Sequence, residues 1–413
     1  MHQPETMNNP IPKRRNSVQQ WLTEPPRERQ IRRLVLVGYS LSIILSIALS
    51  QMIAVVLFLI AAVVAWKAHS FVRTPFDVPL AAFVVARVVS VFLSSNFALS
   101  VRTLYAETPY FLLFYALVQV LFRDDDRVLT AIFWSLTMGG IAASVYGTGR
   151  VLFGFQLRAS STSSGYYTLG TYLACMAAIV LFLGRNRRTV PNRFLWSIAL
   201  FFLLLGLTFT FNRTHWAITA FMLLLAGTIR ERWLLLVAVI GAIAAFIFLP
   251  SVATRFYQTT HFTSYLSDRD VLWKGGLMLA KEHPVFGFGP GTFREIFPLL
   301  EQLSDKKVGG WHNDFLQVYL ESGIFGLAAL LWVLASVARQ VVRSVTRIAA
   351  TEDQRDLVLA AAMGIAAIVF SSLIGSGFLD VTIILLNVLL LAFLVRADLP
   401  AGSTAAELRQ SSV

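Results

Sequence analysis

Between residues 34 and 395 the chain repeats one pattern, an apolar run of roughly 15 to 20 residues closed by Arg, Lys, Pro or Gly. At 1.5 Å of helical rise per residue, such runs suit a hydrocarbon core about 30 Å thick. They predict spans at 34–49, 51–66, 78–95, 104–122, 128–149, 166–184, 194–211, 215–229, 233–250, 314–337, 357–374 and 379–395. A membrane barrel would instead alternate apolar and polar residues in runs of about ten. The expected fold is therefore all-α, a polytopic integral membrane protein with about twelve transmembrane helices. Residues 251–313 break the pattern and form a large outer loop containing short helices, set between spans one to nine (34–250) and spans ten to twelve (314–395).

Composition agrees with this reading and narrows it. The 413 residues are 56% hydrophobic and 14% charged, with mean hydropathy +0.66, which excludes a soluble globular protein with a polar surface. The net charge of +12 sits in loops between spans, where topology and lipid headgroups account for it, so no nucleic-acid partner is expected. The single Cys175 lies in an apolar run and offers neither a disulfide framework nor a thiolate metal site. Residues 1–33 form a polar, basic, Pro-containing arm without the apolar core and cleavage site of a signal peptide, and residues 396–413 read as a disordered tail. By the positive-inside rule the arm is cytoplasmic, and an even number of spans puts both termini there. Lys67/Arg73, Arg123/Arg127, the stretch "RNRRTVPNR", Arg230/Arg232 and Arg339/Arg343/Arg347 then all fall on the inner side.

The exceptions to that rule carry the candidate chemistry. Arg102, Arg150, Arg158 and Arg213 stand at or near outer span ends, and the long tract adds Arg255, Arg269, Lys274, Lys281, Arg294, Lys306 and Lys307. One interfacial arginine can simply snorkel to headgroups. The set as a whole suggests an electropositive outer cavity suited to a phosphate-bearing lipid, because guanidinium binds phosphate oxygens bidentately. Arg87 lies mid-span, where a charge is a functional candidate by default, but no partner for it is visible in the sequence and it ranks below the outer arginines.

Within the tract, "SDRDVLWKGGLMLAKEH" reads as a helix capped by Ser267 or Asp268 and interrupted at Gly275-Gly276. "PVFGFGPGTF" is a permissive turn able to approach a ligand or another helix, and it lacks the Gly-Lys-Ser/Thr ending of a nucleotide-binding loop. "TFREIFPLLEQLS" offers a second amphipathic helix. In "WHNDFLQVYLESGIFG", helical spacing puts His312, Leu316, Tyr319, Gly323 and Gly326 on one face, so that the two glycines would pack against a neighbouring helix and fix His312. Equally, His312 and Asn313 could merely occupy the helix start, with Asn313 or Asp314 as cap.

These stretches resemble the O-antigen ligase and polymerase superfamily of bacterial inner-membrane glycosyltransferases. The family's ligase signature is matched by His312-Asn313, nine residues, Gly323, two residues and Gly326. "LTFTFNRTHWAITA" is similar to the family segment that carries an arginine at an outer span end, here Arg213, although the usual preceding Ser is Asn212. "RDVLWKGGLMLAKEHPVFGFGPGTF" is similar to its Arg-x3-Trp segment, here Arg269 and Trp273, running into a Pro- and Gly-rich turn. The resemblance implies an enzyme of the bacterial inner membrane that acts at the periplasmic face, so the large loop is periplasmic. It implies transfer of a polysaccharide from undecaprenyl diphosphate to an acceptor, which in ligases is lipid A-core oligosaccharide, with inversion at the anomeric carbon.

The residues support a mechanism of that kind. The region's acids are outnumbered by cations, so no metal and no cofactor are expected, and Arg213 and Arg269 take the diphosphate and its growing charge. His312 is the expected general base for the acceptor hydroxyl, with His215, His261 and His283 as rivals. Arg102, Arg150, Arg158 and Lys274, together with Trp273 and Asn313 of the matching motifs, complete the substrate-binding set. An O-antigen polymerase uses the same donor and stays open as an alternative. A protein-directed oligosaccharyltransferase would carry a periplasmic domain after the last span. A transporter or lipid flippase, the reading from another class, would place its polar residues near the midplane between repeated halves.

Overall fold

The structure, a computed structural model, describes residues 26–68, 71–122, 124, 127–184, 186, 189–190, 192–229, 232–248, 250, 254, 268–304, 308–347 and 351–397. Ser267, His261, Arg255, Lys306, Lys307, Arg123, Arg230, the arm to residue 25 and the tail from 398 lie outside the described residues. Regular structure among the described residues is helical throughout: α1 (Pro26–Leu45), α2 (Ile47–Ala68), α3 (Asp77–Phe92), α4 (Phe97–Leu121), α5 (Arg127–Leu152), α6 (Tyr166–Leu183), α7 (Arg193–Phe209), α8 (Arg213–Ile229), α9 (Trp233–Phe248), α10 (Arg269–Leu279), α11 (Phe293–Ile296), α12 (Asp314–Thr346), α13 (Glu352–Ser372) and α14 (Val381–Ala397). Each expected span coincides with one helix, and among the described residues six helices are long and apolar enough to cross a membrane. The protein is a polytopic, all-helical membrane protein. The first helix starts earlier than expected, at Pro26, so Arg27, Arg29, Arg32 and Arg33 ride on its opening turns.

Helix α6 is the central pillar, buried from Thr168 to Leu183 and packed by α5, α7, α8, α13 and α14. Without water between helices, close packing and internal polar pairing must hold such a pillar. Small residues permit the approach: Gly170 lies under the His215 ring of α8, and Gly364 of α13 meets Ile179 and Cys175. Buried polar groups are matched across helices, with the Trp196 indole donating to the Val180 carbonyl (2.7 Å) and the Tyr172 hydroxyl to that of Leu136 (2.8 Å). Peripheral α2 and α9 present Met52, Leu59, Leu236 and Ile247 outward, as lipid-facing helices must.

The two ends of the bundle differ. At one end Arg33 pairs with Asp124 (2.7 Å), Arg396 donates to the Asp124 carbonyl, Lys67 meets Glu28, and Asn186 donates to the Asp353 carbonyl, gathering the cation-rich loops together. The other end carries residues 268–313, which fold around their own core of Leu272, Leu279, Phe288, Phe293, Phe297, Leu303, Trp311 and Leu320. Trp311 is fully buried there, edge-on to Phe293 and Phe297. The glycine pair does not interrupt α10. Gly275 and Gly276 instead let Phe297, Trp311 and Leu316 press against the helix. Asp268 does not cap α10, because its carboxylate accepts from the backbone and hydroxyl of Ser304. The second amphipathic helix shrinks to the four residues of α11 and a single 3₁₀ turn at Leu300–Gln302, since Pro298 holds Phe297 in extended backbone.

Helix α12 is broken. At Gly323 (φ 63°, ψ −164°) the backbone enters a region essentially confined to glycine. The turn at 284–291 fills the gap: Phe288 N–H donates to the Leu320 carbonyl (2.8 Å), Gly289 N–H to that of Glu321 (3.0 Å), and Ile324 N–H to that of Pro284 (2.8 Å). Groups orphaned by the break are thus satisfied by the loop. A Cβ on Gly323 would stand 2.1 Å from the Val285 carbonyl oxygen, and one on Gly326 would meet Ser322 of its own helix. The expectation that both glycines pack against a neighbouring helix is therefore corrected. So is the single face from His312 to Gly326, because α12 begins only at Asp314 and changes direction at Gly323.

Candidate functional site

The site is built where α10 and the start of α12 meet the turn between α13 and α14. Arg269, the first residue of α10, donates from Nε to the Ile374 carbonyl at 2.7 Å. Asp314, the first residue of α12, accepts at Oδ2 from the backbone N–H groups of Gly377 (2.7 Å) and Phe378 (2.5 Å). One short turn is thus gripped by both segments, and His312 stands two residues from the second grip.

Arg213 opens α8 just after Asn212, whose side-chain oxygen accepts from Thr214 N–H (3.1 Å). It lies close enough for its charge to act on Arg269. Burial lowers the Arg269 pKa below the ordinary arginine value; Tyr167 and Tyr166 oppose this, and the like charge of Arg213 adds to it. The Arg158 guanidinium sits over the Tyr166 ring at 4.4 Å. Arg158 and Arg269 therefore both lie beside the Tyr166–Tyr167 pair, and the charge of Arg213 acts on Arg269. Beneath it the Tyr167 hydroxyl donates to the Ser371 carbonyl (2.8 Å).

The remaining expected residues are not drawn into this group by any contact. Arg150 donates to Tyr146 Oη (3.0 Å) one turn back on its own helix, and Arg102 is exposed on α4. Lys274 is exposed on α10, while Trp273 packs in the loop core with its indole N–H buried. The Asn313 carboxamide oxygen accepts from Leu316 N–H (3.0 Å), so this residue caps α12. Among the rival bases, His215 is fully buried and bonded through Nε2 to Thr171 and Ser371 (both 2.9 Å), out of an acceptor's reach. His283 is exposed with its ring against Phe288, and His261 lies outside the described residues. Among the described residues, no group of three or more His, Cys, Asp or Glu could hold a metal ion.

Backbone geometry singles out the same places. Three described non-glycine residues take positive φ: Phe211 (49°), Asp268 (58°) and His312 (49°). Asp268 directly precedes Arg269, Phe211 stands two residues before Arg213, and His312 is itself the expected base. Such conformations cost of order 1–3 kcal/mol and persist where the surroundings impose them, often at functional sites. Tyr166 and Tyr167 carry no motif in the sequence, and Asp314 stands out there only as a possible helix cap. The only available signal was a Tyr pair at a span end, which interfacial anchoring explains equally well.

Residues 198–331 match the Wzy_C family model, described as O-antigen ligase. Within this segment fall Arg213, Arg269, the Gly-rich turn, His312 and the Gly323 break, so the match supports the superfamily resemblance carried by those motifs. No match is found among curated proteins.

Proposed function

We propose that the protein is an O-antigen ligase, transferring O-antigen polysaccharide from undecaprenyl diphosphate to lipid A-core oligosaccharide at the periplasmic face of the bacterial inner membrane. The observation that carries this reading is that Arg158 and Arg269 flank the Tyr166–Tyr167 pair, with Arg213 near enough for its charge to act on Arg269. Two guanidinium groups held close repel one another, and an anion between them converts that repulsion into attraction. A lipid diphosphate is an anion of the right charge, delivered at membrane depth.

In the proposed reaction His312 accepts the proton of the acceptor hydroxyl as its oxygen attacks the anomeric carbon. The bond from that carbon to the diphosphate oxygen breaks, and the electron pair leaves with the diphosphate. Arg213 and Arg269 stabilise the charge that grows on the departing group, with Arg158 as the nearest additional cation. Direct attack inverts the anomeric centre. The positive lining supports transfer without a metal ion.

Purified protein given lipid-linked donor and lipid A-core acceptor in the presence of a metal chelator should yield capped lipopolysaccharide. No product with or without divalent metal would overturn the reading. In cells, loss of the gene should leave bare core while lipid-linked polymer accumulates. Core bearing a single repeat would instead identify a polymerase.

A further inference from the structure

Arg87 has no part in the proposed reaction. It is fully buried in α3, yet it touches two other helices, α4 and α12. Its Nε donates to Glu107 Oε2 of α4 at 3.1 Å and Nη2 to the other oxygen of the same carboxylate. Its Nη1 donates to Glu321 Oε2 at 2.7 Å and reaches Ser322 Oγ at 3.4 Å. Glu321 stands two residues before the break in α12. Its second oxygen accepts from Gly291 N–H (3.2 Å) in the Gly-rich turn and from Gln317 Nε2 (2.9 Å). Its backbone carbonyl accepts from Gly289 N–H and from Ser90 of α3.

We infer that Arg87 is a positioning residue: through Glu321 and Glu107 it fixes the short segment 314–322 and the turn 284–291 as one unit, and thereby sets where His312 stands. The segment is covalently continuous with the rest of α12 only through Gly323, the residue with the fewest steric limits on its backbone. Its orientation must therefore come from lateral contacts. At its start these are Asp314 on the 377–378 turn, and at its end the Arg87 clasp. Guanidinium suits this work because its planar fork can meet two carboxylates at once, which an ammonium cannot do with the same geometry.

The inference deepens the ligase reading in its activity measurement and is independent of it in its structural one. Arg87→Met alone strands the buried Glu321 and the half-buried Glu107 carboxylates and can fail to fold, so the informative variant removes all three charges: Arg87→Met/Glu107→Gln/Glu321→Gln. In nanodiscs, amide hydrogen exchange of this variant should quicken at least tenfold over 286–291 and 315–324, with α6 unchanged. In the transfer assay kcat should fall at least tenfold while KM for the lipid-linked donor stays within about twofold, because no donor-binding group is altered. Arg87→Lys should fall between the variant and the natural protein in both measurements. Unchanged exchange over the two segments overturns the inference whatever the activity. So does wild-type kcat with quickened exchange, and so does a loss confined to KM. Should the natural protein transfer no glycan, the ligase reading fails and the exchange result alone decides the clasp.

Discussion

Arg87 and the Arg213–Arg269 pair present the same functional group in opposite settings. Arg87 is sealed inside the bundle with carboxylates on both sides of its fork. Arg269 stands at the loop-bearing end, bonded to a neutral carbonyl, beside two phenols and with a second guanidinium near it. The first arrangement satisfies its own charge and serves to hold helices in place. The second gathers like charge, which a fold does not do for stability, since the Coulomb energy between two cations opposes it. Charge met by charge marks a structural site, and charge met by like charge marks a place made for something else.

The largest expected effect falls on the sealed arginine. Arg87→Ala leaves Glu107 and Glu321 uncompensated in the bundle, a loss of about 3–5 kcal/mol, and thermal unfolding in detergent should show a markedly lowered Tm. A near-wild-type Tm would erase the contrast. For the gathered arginines the expectation reverses: Arg213→Ala and Arg269→Ala should each stay folded and inserted while transfer drops by about 10²–10³ fold, the scale of one lost transition-state donor. His312→Ala belongs with them, at about 10²–10⁴ fold for a lost general base. Wild-type activity in any of the three would remove that residue from the proposed mechanism.

A smaller effect probes the joint between the two regions. Gly323→Ala puts a side chain into glycine-only backbone space, at about 1–3 kcal/mol, and against the Val285 carbonyl. It should loosen the 284–291 turn, read as faster exchange of the Phe288 and Gly289 amides. The smallest is Asn313→Ala, which removes a helix cap worth about 1 kcal/mol. Asn313→Ser keeps a capping oxygen and should restore stability and transfer together. Restored stability without restored transfer would assign Asn313 to the substrate as well.

Much of the fold is legible in the sequence because lipid imposes one rule on every span. A helix that satisfies its own backbone needs only length and apolarity, and both are local properties. The helices therefore fall where the apolar runs do. The loop was harder to read for a physical reason: its glycines serve tertiary contacts. Gly275 and Gly276 look like helix breakers by propensity, yet they accommodate Phe297, Leu316 and the Trp311 ring. Gly323 looks like a packing glycine by spacing, yet it marks the place where a helix gives way to a turn arriving from thirty-odd residues earlier in the chain.

Residue types and their order alone settled that the protein is helical, that it lives in a membrane, and that the candidate arginines and histidine stand at span ends and in the long interruption of the apolar pattern. Hydrophobic runs and charge asymmetry act within a window of one helix, so they can be read without knowing what lies beside what. Only the tertiary structure decided which arginine is neutralised and which are crowded together. Arg87 meets Glu321 across more than half the chain, and Arg269 of α10 reaches the Ile374 carbonyl just beyond α13. Electrostatic energy depends on distance in space, and distance along the chain says almost nothing about it.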